Sequence, residues 1–425
     1  MRLETPPDVK TPAPTGYRAL MRVPGFALLY VSLLVGRVSG QMVGIAFILF
    51  VLARYHSPQL AGLAAFLAVA PGLVVSPVAG ALLDRYGRTR LVMLDNLVGA
   101  ATGVIVATLS WEHALPSWLL LIIVFTSSLT LPLSVSGARS LFPILAPRHL
   151  WERANALDSS GHVIATLLGA PLAGVVVGYA GPEWALVTTS VGLCIAAILI
   201  TRVREPLTPR VDRPSVLVDA AHGLRYVVRN PTLRGLALTL STFNLGWGIL
   251  NIAIPVLVLG RLGGGAVSVG LLWGVMGASG LVSALIAGRL DSRGLERRLM
   301  LVGILTSAAA MALLPFATST WVVLVVMLIA GLANGPFDIG LFTLRQRRTD
   351  PAWFGRAFAI SMSVSFAGYP VGTAVAGALV EQSLVVPIAF GLITCLTGAF
   401  LAWRLIPTHD AEEVAASATT SPSIA

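Results

Sequence analysis

The sequence predicts an all-α integral membrane protein, with twelve transmembrane helices in two pseudo-symmetric six-helix halves. Three observations carry this. The chain of 425 residues is 56% hydrophobic but only 11% charged, whereas soluble domains carry roughly 25% charged residues. So few charges cannot cover a water-facing body of this size, and a mean hydropathy of +0.84 points to lipid as the main solvent. The apolar residues also fall in runs long enough to cross about 30 Å of hydrocarbon. Finally, the pattern of charges and glycines in the first half recurs in the second.

The runs occupy 26–52, 59–82, 91–110, 117–138, 156–178 and 184–203. They resume at 233–259, 266–288, 299–316, 320–343, 357–379 and 385–405. Pro71, Pro77, Pro132, Pro171 and Pro370 fall inside them, as membrane helices allow when neighbouring groups re-satisfy the freed backbone. The organisation expected is a tail over 1–22, a half over 23–203, a linker over 204–232, a second half over 233–406 and a disordered tail over 407–425. The first tail is polar and proline-rich, without the apolar centre of a signal peptide, and Tyr17 to Arg22 is expected along the membrane surface. The linker opens with Pro206, Pro209 and Pro214 and continues as an amphipathic surface helix, with Val216, Val218, Leu224 and Val227 on its apolar side.

The net charge of +10 sits in short clusters between apolar runs, the pattern of membrane insertion rather than of nucleic-acid binding. Arg85, Arg88 and Arg90; Arg139, Arg148 and Arg153; Arg289 to Arg298; and Arg345, Arg347, Arg348 and Arg356 all fall in loops of one phase. The other phase holds Arg54 and Arg261. The positive-inside rule therefore predicts a multi-pass protein of the cell membrane, the inner membrane of a bacterium, with both termini cytoplasmic. Cys194 and Cys395 lie inside apolar runs and read as packing residues. No nucleotide loop, metal cluster or catalytic triad is visible; neither an enzyme nor a resident cofactor is expected.

The repeat is specific. Asp84 and Gly87 follow the second run, and Asp291 and Gly294 follow the eighth at the same spacing. Arg153-Ala154-Asn155-Ala156, Gly169 and Gly174 recur 203 residues later as Arg356-Ala357-Phe358-Ala359, Gly372 and Gly377. Parallel repeats of this kind occur in transporters.

The loop after the second run reads Gly80-Ala81-Leu82-Leu83-Asp84-Arg85-Tyr86-Gly87-Arg88-Thr89-Arg90. Gly80 would admit close helix packing, Gly87 a tight turn, and Asp84 would suit the positive end of a neighbouring helix. Arg85 and Arg88 could pair with carboxylates such as Asp95; ordinary topogenic charge in a tight loop is the alternative reading of the same residues. This loop resembles the signature loop of the major facilitator superfamily, departing from it at Thr89, and the resemblance in pattern covers residues 23 to 406. It implies that Asp84 meets the start of the eleventh span near Ala357. There Gly80, Asp84, Arg85, Gly87, Arg88 and Asp95 would latch the cytoplasmic side in an outward-facing state.

Embedded polar groups are costly and mark function by default. Arg37, with Gln41 one turn on, lies in the first span; Asn244 and Asn251 in the seventh; Asn334 and Asp338 in the tenth. The resemblance implies that spans one, four, seven and ten surround a cavity. Trp247, with Phe243 and Phe337, would add aromatic surface suited to an amphipathic organic solute. Asp338 is the expected partner of Arg37, and interhelical hydrogen bonding is the alternative role for each asparagine. Asp158 and His162, at i and i+4, share one face and could relay protons together with Asp338, or form a structural pair. Gly161, Gly169-Ala170-Pro171 and Gly174 resemble a weakened antiporter glycine motif, whereas the antiporter arginine of the fourth span is absent. The function expected is alternating-access transport of a small organic solute, outward and proton-coupled, by a monomer in the bilayer. An uptake symporter or facilitator, and a non-transporting receptor or scaffold, are the alternatives.

Overall fold

The computed structural model describes residues 16–205, 216–289, 292–349 and 354–407. Twelve helices among them are long and apolar enough to cross a membrane. They are Phe26–Tyr55, Pro58–Gly80, Arg88–Trp111, Ser117–Phe142, Arg148–Ala180 and Pro182–Thr201, then Pro231–Arg261, Ala266–Ala287, Glu296–Phe316, Thr320–Arg347, Ile360–Val380 and Val385–Leu405. We number them spans one to twelve. A short helix, Tyr17–Met21, precedes them, and a helix over Val216–Arg229 links the two sets of six. Leucine, valine, isoleucine and tryptophan side chains stand exposed along the spans, including Val74, Ile198, Leu285 and Trp321. Outward apolar surface of this kind needs lipid around it. Of the expected tail over 407–425 all but Pro407, together with the linker segment 206–215 and Asp291 of the repeated loop, lie outside the described residues.

Local chemistry places the helix ends and breaks. Ser57 and Asn230 cap spans two and seven by accepting from the Leu60 and Leu233 N–H groups, each with proline at the first helical position, where its missing donor costs nothing. Spans two, four and eleven are each two helices, broken at 68–69, 129–130 and 367, with Pro71, Pro132 and Pro370 just beyond the breaks. Gly87 and Gly294 hold φ of +92° and +72° in the equivalent loops, a region that side-chain-bearing residues avoid. Span five begins well before residue 156: its charged first turns, from Trp151, are already helical.

Two halves emerge from the packing. Span one contacts five and six, and three contacts six; in the second half seven contacts eleven and twelve, and nine contacts twelve. The halves meet where span two lies on eleven and five on eight. Both seams are closed by glycine on glycine. A Cβ on Gly62 would stand 2.7 Å from the Gly377 Cα, and one on Gly174 would stand 2.9 Å from the Gly270 Cα. Close backbone approach of this type substitutes for the hydrophobic drive that lipid removes. Both seams lie at the end of the bundle opposite the arginine-rich loops. There Glu381, just past span eleven, accepts from the Ser57 hydroxyl at 3.2 Å and the Gln59 N–H at 3.4 Å.

Candidate functional site

A cavity of about 400 Å³ lies inside the bundle, within the range of ligand pockets. Its ceiling is Phe47, Ile48, Asn251 and Tyr369, and its walls come mostly from spans one, three and four. It extends to Arg139, which is exposed towards the arginine-rich end. Apolar residues such as Leu33, Val43, Val92, Val124, Val135 and Leu193 form most of the lining, with Arg37, Asp95, Asn96, Arg139 and His162 among its polar groups beside several serine and threonine hydroxyls.

The expected ring of spans one, four, seven and ten is therefore corrected. Of the anticipated residues Arg37 and Asn251 line the cavity, while Gln41, Asn244, Trp247, Asn334 and Asp338 do not. The reason is packing. In the second half Phe243 stacks 4.9 Å from Phe337 and 6.2 Å from Trp247, which meets Trp273 at 6.4 Å. These rings pack against one another in the second half. Asn244 instead donates at 2.9 Å to the Ser365 carbonyl beside the break in span eleven, and Gln41 donates to Thr166 of span five. Asp338 is exposed.

Arg37 does not pair with Asp338. Its Nη2 forms an ion pair with the Asp158 carboxylate, and its Nη1 donates at 3.0 Å to the Asp158 carbonyl. The planar guanidinium fork suits this double contact. Gly161 makes room for it, since a Cβ there would lie 3.1 Å from Nη1. His162 hydrogen-bonds through Nδ1 to the Asp158 carbonyl at 3.2 Å, not to the carboxylate. The side-chain relay from Asp158 to His162 is thus replaced by an arginine–aspartate brace between spans one and five. A similar contact recurs in the second half, one turn further along span eleven: Arg37 reaches the Asp158 carbonyl and Asn244 reaches the Ser365 carbonyl.

The loop after span two also differs from expectation. Arg88 pairs with Asp84 at 2.5 Å and with Glu205 at 3.2 Å, not with Asp95. Glu205 further accepts from the Thr89 N–H at 3.1 Å. It ties the start of the linker to the first turn of span three, a carboxylate at a helix N-terminus. Sequence reading missed Glu205 because a lone acid beside Pro206 looks like ordinary linker. Arg85 lies 5.4 Å over the ring of its neighbour Tyr86. Among the described residues nothing lies within 4 Å of where a Cβ on Gly80 would stand, and the side chains over 351–359, at the start of the helix expected to face this loop, lie outside the described residues. The segment 350–353, which leads into the helix expected to face Asp84, lies outside the described residues.

Asp95 faces the cavity instead and accepts from the Thr130 hydroxyl at 2.6 Å. The break at 129–130 in span four presents that hydroxyl. A second surprise is Arg345, read from sequence as a loop cation but completely buried, with Nη2 3.4 Å from the Ser365 hydroxyl.

The sequence matches the Major Facilitator Superfamily over residues 29–355 and 292–423. It is 38% identical over 403 residues to the MFS-type transporter y4rN of Sinorhizobium fredii, covering 94% of this chain and 98% of that one. It is 26% identical over 419 residues to the multidrug efflux pump Tap of Mycobacterium tuberculosis, covering 93% and 99%. Among solved structures, the nucleoside transporter NupG superposes with a TM-score of 0.69 at 14% identity, covering 91% of this chain and 100% of that one. A bacterial homologue of the lysosomal transporter Spinster, inward-facing and unoccupied, gives 0.68 at 15% identity, covering 91% and 98%. With the twelve spans in two repeated halves, the paired glycine seams and the internal cavity, these likenesses establish that this chain is a transporter of the Major Facilitator Superfamily.

Proposed function

We propose that this chain is a secondary transporter that exports a small amphipathic organic solute from the cytoplasm by alternating access, driven by proton entry. The observation that carries the reading is the cavity, mostly apolar with polar groups set in its wall, bounded at one end by Phe47, Ile48, Asn251 and Tyr369 and extending towards exposed Arg139 at the other. The arginine bias makes the open end cytoplasmic, with both termini there, so the described state is the one that loads solute from inside. The residues 23–203 and 233–406 act as the two rocking bodies, joined by the linker 204–232. The name of the relative Tap supports export at low identity. Asp338 is the best-suited proton site, a carboxylate within span ten, whereas Asp158 is held by Arg37. The unit of function is the monomer.

Purified protein in oriented vesicles tests this. A proton gradient, acidic on the outer side, should drive solute out of the compartment facing the arginine loops, and an uncoupler should abolish the movement. Accumulation in the opposite direction would make the chain an uptake symporter. Flux indifferent to the gradient would leave a facilitator. Reporter fusions at both ends should signal from the cytoplasm; a periplasmic signal from either would remove the orientation.

A further inference from the structure

Among the described residues Asp95 is the one carboxylate in the cavity wall, and its environment is unusual. A charge at membrane depth is costly unless water or a counter-charge meets it. Among the described residues no arginine or histidine lies within ion-pair reach of Asp95; its carboxylate accepts from the Thr130 hydroxyl of span four at 2.6 Å. The two arginines of the same cavity are accounted for elsewhere. Arg37 is neutralised by Asp158. It also points away: Gly36 faces Asn96 of span three, and Arg37, one residue on, is turned roughly 100° round the helix, towards span five. Arg139 is nine residues beyond Thr130 on span four, or roughly 13 Å along the helix axis, and is exposed. His162 hydrogen-bonds the Asp158 backbone.

From this arrangement we infer that Asp95 is the anchor for a cationic group, and that the solute carried is a monocationic amphipath: an organic ammonium or similar cation attached to an apolar body. The inference rests on the proposed transport function and deepens it by naming the substrate class. The carboxylate supplies the counter-charge, and the Thr130 hydroxyl fixes its orientation. Asn96, beside it on span three, adds a neutral acceptor at the same wall. The apolar body lies against Val92, Leu131 and Val135 below and Phe47 above. An organic anion would meet the same apolar walls but the wrong charge, and Arg139 near the open end would hold it short of the ceiling.

Two ions of matched size and shape but opposite charge, tetraphenylphosphonium and tetraphenylborate, separate charge recognition from hydrophobic partitioning. Equilibrium binding of each is measured on the full-length purified protein, as wild type, Asp95→Asn and Asp95→Glu. Asp95→Asn should weaken tetraphenylphosphonium binding by at least roughly tenfold, the scale of one partly solvated ion pair, and leave tetraphenylborate unchanged. Asp95→Glu keeps the charge and should keep most of the affinity, which shows that position 95 tolerates replacement in a folded protein. Equal tetraphenylphosphonium affinity in wild type and Asp95→Asn overturns the assignment, as does a wild type that does not favour the cation. Binding and direction are separable. Asp95-dependent binding without outward flux in the vesicles would keep the cation site and remove export. Outward flux of a neutral solute, undiminished in Asp95→Asn, would keep export and remove the cation site.

Discussion

Separating Arg37 from Asp158 should be among the most damaging single changes in the first half. The two side chains are 14% and 19% exposed, so the pair is neither a surface ion pair, worth about 0–1 kcal/mol, nor a fully dry one, where losing a partner costs about 3–5 kcal/mol. Its depth puts it nearer the second limit. Arg37→Gln and Asp158→Asn should each destabilise the protein by about 2–3 kcal/mol, because each leaves one charge uncompensated inside the bundle. Combining them removes both charges, so the double variant should fall short of the sum by at least about 1 kcal/mol, the signature of direct coupling. Reversible unfolding by titrated denaturing detergent in mixed micelles reads these differences. Transport adds a second measure: Arg37→Gln should abolish flux. Arg37→Lys should weaken it, since an ammonium keeps the charge but loses the fork that holds the Asp158 carboxylate and carbonyl together. Additive single effects, with coupling under about 0.5 kcal/mol and normal flux in both Arg37 variants, would refute the brace.

Three further outcomes are expected. Gly377→Leu should force the span two–span eleven seam apart, because its Cβ alone would sit 2.9 Å from the Gly62 Cα; labelling of a cysteine at position 57 by an impermeant maleimide should rise, and unchanged labelling would show the seam is not the closure. Asp84→Asn should insert normally but transport slowly, since a helix-end charge worth about 0.3–1 kcal/mol suffices to shift a balanced two-state equilibrium several-fold; normal flux with unchanged inward and outward populations would remove the latch. Glu205→Gln should release the start of the linker from Arg88 and Thr89, at a cost of about 1–2 kcal/mol. Limited proteolysis between the halves should then accelerate, and an unchanged cleavage rate would count against the tether.

The fold was almost fully legible because its determinants are periodic and coarse. Twenty-residue apolar runs and arginine loops need no knowledge of which helix touches which. The repeated glycines were legible too, since Gly174 and Gly377 stand 203 residues apart and form equivalent seams. Partners were not legible. Arg37 reads as a buried cation in any arrangement, but choosing Asp158 over Asp338 requires knowing that span one packs on five, a matter of rotation about helix axes. Asp95 shows the same limit: seven residues past Arg88, it looks like a partner for the loop, yet it turns into the cavity. The side of the cavity was hidden because bulk, not polarity, decides it. Phe243, Trp247, Trp273 and Phe337 pack together in the second half, and the polar signals of Asn334 and Asp338 carry no information about that packing.

The glycine seams have a consequence for how the two states are balanced. At Gly62–Gly377 and Gly174–Gly270 backbone lies on backbone. Dispersion and weak Cα–H contacts hold such a joint, and neither responds to ionic strength. The opposite end is populated by Asp84, Arg85, Arg88 and Glu205, whose exposed members are screened within about 10 Å at 0.1 M salt. On the alternating-access reading proposed above, the glycine mouth closes by fit, while the opposite end carries charge. Added salt should then weaken contacts at the second end alone and bias which way the transporter faces, without any solute being bound.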